Sequence, residues 1–152
     1  MQPPATFSAD AMNAAENIAV LNRLLQVLCR SLAAYLSDAT SWARPESRRM
    51  RVAVEHLVSD QQGYAQQVAE AVEAIGGRAH PGRFPLEFAA KNDLSLEYLV
   101  DEIIDDQEQS VVVIEHCAVL LEGAPSLHAL AEEILGNAKG HLDILKDLRS
   151  SI

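Results

Sequence analysis

The sequence is poor in cysteine, in basic residues and in uninterrupted apolar runs. Cys29 and Cys117 are its two cysteines, each inside an apolar stretch and far from any second Cys or nearby His pair. This excludes a disulfide framework or a Cys-based zinc site and fits a reducing compartment. Both thiols read as small buried apolar side chains rather than redox groups. Lys and Arg number 12 against 22 Asp and Glu, a net charge of -10, so the basic footprint that phosphate neutralisation requires is missing. Nucleic acid is not an expected partner. No stretch approaches about 18 consecutive apolar residues, because Asn, Gln, Arg or Asp interrupts each candidate, and no membrane span is expected. The opening Met1-Gln2-Pro3-Pro4-Ala5 has neither a positive charge nor an apolar region, so a cytoplasmic location is the expectation.

What is present is a globular composition. Apolar residues make up 49% and charged residues 22% of 152 residues, which excludes a disordered chain and fits a single domain, 1–152. Leu21, Leu24, Leu25, Leu28, Leu32, Tyr35 and Leu36 share a helical stripe, predicting a first helix over about 13–40, with Asn13 and Glu16 in the form of a capping box. Ser8 or Asp10 is an alternative, earlier cap. Pro45 suits a first turn, and Met50, Val54, Leu57, Gln61, Tyr64, Val68, Val72 and Ile75 carry a second helix, 46–75, to Gly76-Gly77. Residues 78–94 hold Pro81, Gly82 and Pro85 without helical phase and read as a crossover long enough to traverse a bundle. A third stripe from Leu96 to Leu121 predicts a helix over 95–122, and a fourth from Leu127 to Leu148 one over 126–149. Nothing reads as strand. Two short turns around one long central connection give an all-α, antiparallel four-helix bundle of the ferritin-like kind, with its crossover between helices two and three.

Charge is distributed unevenly. Residues 92–138 carry 11 acids and no Lys or Arg, whereas residues 1–91 carry nine of each sign. Asp101, Glu102, Asp105, Asp106 and Glu108 make the third helix a negative rod, read first as a solvated face and second as an attractor of cations. Arg44, Arg48, Arg49 and Arg51 gather where the second helix starts and oppose its dipole. More telling are polar residues on apolar stripes: Gln61 and Tyr64, Gln107, and His141. Buried polar groups need partners, so these four are expected to face one another, or a trapped water, as a neutral hydrogen-bond network.

The segment from Ile134 to Leu145, with His141 near its end, resembles the last core helix of bacterioferritin-type proteins. Leu21 to Leu25 through Tyr35, and the spacing from Tyr64 to Gly76-Gly77, are similar to the first and second helices of that family. The resemblance spans most of residues 13–149 and implies a dinuclear iron site built from one Glu on each of two helices and a Glu-x-x-His on each of the other two. Carried over position by position, the first Glu falls on Leu28 and the first Glu-x-x-His on Gln61 and Tyr64. The third-helix Glu falls on Gln107, and the final pair on Ala138 and His141. Every carboxylate is replaced. Anionic oxygens are needed to neutralise and bridge two cations, so these positions are expected to be vestigial, with no metal and no ferroxidase activity. The family's haem-binding Met falls on Gln62, which argues against haem. A pore-lining fifth helix would have to follow Ser150, so the expected assembly is a homodimer, pairing helices one and two, rather than a cage.

Three functions compete. The first is a non-catalytic ferritin-like protein serving as a structural, binding or partner subunit, without cofactor. The alternative is iron handling, by storage or oxidation, through relocated acidic ligands on the third helix. A displaced metal site is considered among His56, Asp60 and Glu108, with Glu55, Glu115 and His116 on the flanks. His80 and His128 carry no assigned role. The third function is a small-molecule binder, using an emptied metal cavity as an apolar pocket beside Tyr64 and His141.

Overall fold

The computed structural model describes residues 4–37, 48–91 and 95–151. Five α-helices occur in the order α1 (Pro4–Cys29), α2 (Leu32–Leu36), α3 (Arg48–Ala74), α4 (Leu96–Leu120) and α5 (Pro125–Ser150). No strand is present among the described residues. The pairs α1 with α3 and α4 with α5 form two hairpins, and α1 lies against α4 and α3 against α5 to close a four-cornered bundle. Gly76, at φ 87, closes α3 in the left-handed conformation that glycine accommodates freely. Gly77 then passes so close to α1 that a Cβ there would lie 2.8 Å from the Ile18 side chain. The turn after α4 leads to Pro125 at the start of α5, where a missing N–H costs nothing.

The first helix departs from its expected form in two ways. It starts at Pro4 rather than at Asn13, because proline suits an opening turn and no breaker lies between them. It also stops at Cys29, and a separate short helix restarts at Leu32. Ser31 takes an extended conformation (φ -69, ψ 148), and its hydroxyl accepts a hydrogen bond from the Ala34 N–H at 3.1 Å. The Leu32 N–H, also freed by the break, donates to Asp106 Oδ2 of α4 at 3.0 Å. The expected end of this helix at 38–41, the Pro45 start of the next and Arg44 lie outside the described residues.

Within the crossover, Leu86–Lys91 forms a 3-10 helix that the sequence did not announce. It seats Phe88 in the core against Tyr35, with ring centroids 5.7 Å apart. The stretch before it is fastened along α1 by side chain to backbone bonds. Asn22 Nδ2 donates to the Arg78 carbonyl at 3.0 Å, the His80 N–H donates to Asn22 Oδ1 at 2.8 Å, and Gln26 Nε2 donates to the His80 carbonyl at 3.3 Å.

Asn13–Leu36 has the length and hydropathy, a mean of 1.2, to cross a membrane. Its leucines 21, 24, 25, 28, 32 and 36 are buried within the bundle, as those of a core helix are.

The core has two apolar halves. One gathers Leu32, Leu36, Val54, Leu57, Leu99, Ile103 and Leu145. The other gathers Leu21, Leu24, Leu28, Val68, Val72, Ile114, Leu121 and Ile134. Between them lies a polar layer, since Ser31, Gln61 and Gln107 are the buried polar residues among those described. Ser31 Oγ donates to Gln61 Oε1 at 2.8 Å while capping α2. Ser31→Ala removes a cap and strands a buried amide oxygen, so a loss of about 2–4 kcal/mol is expected in urea unfolding. The half-buried Ser37→Ala should lose under about 0.5 kcal/mol; equal losses would show that Ser31 has no special part.

Candidate functional site

The polar layer includes Gln61 and Gln107, two of the six positions that the bacterioferritin resemblance singles out. Leu28, Gln61, Gln107 and Ala138 converge, with Leu57, Ile114 and Ile134, around a central void of about 10 Å³. Each arrives by helical phase: Leu28 at the penultimate position of α1, Gln61 and Gln107 near the middles of α3 and α4, and Ala138 midway along α5. The void is about the size that holds one water. Gln107 Nε2 donates to the Ala138 carbonyl at 3.1 Å, so the amide reaches the backbone where the family's acid would stand.

Tyr64 and His141 do not join this layer. The expected four-membered network is replaced by separate pairs, because each polar group finds a nearer partner on its own side of the bundle. Gln61 bonds to Ser31, and Gln107 to the α5 backbone. The Tyr64 phenol is raised above its usual pKa, first by burial and then by the neighbouring Glu133. His141 Nε2 donates to Asp60 Oδ2 at 2.7 Å, and Asn137 Nδ2 donates to the same oxygen at 2.9 Å. Asp60, at the flank of α3, is therefore the residue that His141 meets, and the exposed His56 adds a weaker electrostatic influence. Hydrogen bonds from Asn137 and then His141 hold the Asp60 carboxyl below its ordinary range.

The acidic rod on α4 is largely paired. Arg149 Nε lies 2.7 Å from Asp101, Lys91 Nζ 3.1 Å from Glu102 and Lys146 Nζ 3.2 Å from Glu108. Asp106 accepts from Leu32 instead, and its burial pushes its pKa up despite that bond. Glu55 lies 3.7 Å from Arg51, and His116 Nδ1 accepts from Arg23 at 3.2 Å. Among the described residues no three His, Cys, Asp or Glu side chains cluster as metal ligands would. Gln62, at the haem-ligand position, is exposed. Ser31 and Asn137 escaped sequence reasoning. Ser31 lies three residues beyond Leu28, on the same face, and that spacing was the available signal.

A ferritin-like, diiron-carboxylate protein from Bacillus anthracis str. Ames matches with a TM-score of 0.73 and 20% identity, covering 90% of this chain and 96% of that one. The fold is ferritin-like. No protein-family model and no curated protein matches the sequence. Gln61, Gln107 and Ala138 put neutral groups at the centre of the bundle.

Two rim acids should act on stability with opposite signs. The lowered pKa of Asp60 means that its contribution is full above about pH 4 and is lost as pH falls through its folded value. Asp60→Asn is expected to unfold at lower urea than the wild type at pH 7, the gap closing toward pH 2. Asp106 has a raised pKa, so the stability linked to it is present below about pH 4 and lost as pH rises through its folded value. Asp106→Asn keeps an acceptor for Leu32 and should equal or exceed wild-type stability at pH 7. Urea midpoints from pH 2 to 7 check both signs.

Proposed function

We propose that this ferritin-like chain is a non-catalytic subunit, structural or ligand-binding, in which a packed polar layer stands where relatives with a dinuclear centre place carboxylates. The observation that carries this reading is the convergence of Leu28, Gln61, Gln107 and Ala138 on a void of about 10 Å³. Two ions about 3.5–4 Å apart need bridging anionic oxygens and a cavity to match. Leu28 and Ala138 offer no side-chain donor, and the two Gln amides, neutral donors at best, already bond to Ser31 and to the Ala138 carbonyl. Such a residue set does not fit a di-iron centre. Replacing carboxylates by neutral groups also removes the repulsion that an empty acidic site imposes on a core.

Iron handling through relocated ligands has less support, because four of the five acids of the third-helix rod are engaged: Asp101, Glu102 and Glu108 with cations, and Asp106 with a backbone N–H. The emptied-cavity binder has less still, since a void this small admits no organic ligand. The proposal includes a homodimer that pairs the first two long helices, a cytoplasmic location and no haem.

Elemental mass spectrometry of untagged protein, before and after aerobic incubation with Fe(II), tests the reading. Near-zero metal in both samples is expected, with no change in His141→Ala. About two tightly held metals per chain would overturn it. Saturable iron uptake abolished by Asp105→Asn, Asp106→Asn and Glu108→Gln together would favour the relocated-ligand alternative. Light scattering in solution checks the dimer.

A further inference from the structure

A second cavity lies outside the polar layer. A groove of about 500 Å³ opens where α1 breaks, between the end of α1, the crossover and α4. It shares Val27 and Ser110 with the central void but faces solvent rather than the core. Its volume falls in the range of small-molecule sites. One wall is apolar, with Val27, Leu32, Phe88 and Val113. The other features are charged, and their state of pairing decides what the groove can hold.

Lys91 is paired with Glu102, and Arg23 donates to His116. Arg30 is different. It follows Asn22 and Gln26 in the row along α1 that carries the crossover, and Gly82 of that crossover lies over it. A Cβ on Gly82 would stand 2.8 Å from Arg30 Cδ, and the φ of 78 at Gly82 suits glycine. Held there, the guanidinium makes one long bond among the described residues, Nη1 to Gln26 Oε1 at 3.4 Å, and its buried Nε has no acceptor among them. A guanidinium so poorly satisfied keeps donors for an anion that enters the groove. A carboxylate matches the planar fork of donors. Glu87, Glu102, Asp105 and Asp106 also line the groove, and four acids against three cations disfavour a dianion such as phosphate. The apolar wall favours a hydrocarbon body.

We infer that the groove at the α1 break binds a small organic monocarboxylate, its carboxylate on Arg30 and its apolar body against Val27, Phe88 and Val113. The groove shares lining with the central void but opens to solvent, so ligand binding there is read separately from the metal content of the protein.

Isothermal titration with hexanoate at pH 7 tests it, with inorganic phosphate and hexylamine as the other probes. Hexanoate should saturate one site per chain, and the other two should give no saturable heat. Arg30→Gln should weaken hexanoate binding by about tenfold or more. Val113→Glu, which places an anion on the apolar wall, should abolish it and carries the test if the Arg30 variant fails to fold. Absence of saturation by hexanoate would overturn the assignment. So would equal binding to folded forms of both variants, or phosphate or hexylamine binding as tightly as hexanoate.

Discussion

The hydrogen bond from Ser31 to Gln61 organises this bundle. An amide buried midway along α3 must find a partner, and the nearest chain is α1, whose continuous helix would present only satisfied backbone. Breaking α1 puts a hydroxyl in the core that serves two neighbours, donating to Gln61 and accepting from Ala34. The break then requires Asp106 to meet the Leu32 N–H, which fixes the height of α4 against α1. Gln107, one residue further along α4, thereby meets α5 at the Ala138 carbonyl. One polar layer thus sets the relative register of all four long helices, which two purely apolar halves would leave more freely defined.

Much of this was legible in the residues. The stripes of leucine, valine and isoleucine specify four long helices, because an apolar period of 3.6 has no other comfortable solution at that length. The long connection between the second and third stripes identifies the bundle topology. The residues at the centre were legible in part, since Leu28, Gln61, Gln107 and Ala138 line one void and Tyr64 and His141 do not. Pairing was not. The sequence shows that Gln61 needs a partner but not that Ser31 will abandon helical geometry to become one. His141 lies on an apolar stripe, yet its ring meets Asp60, because a carboxylate is a stronger acceptor than an amide.

Charge tells a similar story. A run of 47 residues without a single cation reads as an anionic surface when taken in isolation. In the fold its partners come from elsewhere: Lys91 from the crossover, Lys146 and Arg149 from the end of α5. Linear charge patterning does not reveal which segments lie side by side, and the hairpin of α4 and α5 brings the complementary ends together.

The manner in which the crossover is fastened to α1 has its own consequence. Asn22 and Gln26 grip main-chain groups of residues 78 and 80 rather than their side chains. Such a clasp is indifferent to the side chains it holds but strict about spacing, since one added or deleted residue would present the wrong carbonyl. Natural variation in this stretch should therefore appear as substitution and seldom as a change in length, with Gly82 the exception on which bulk is also restricted.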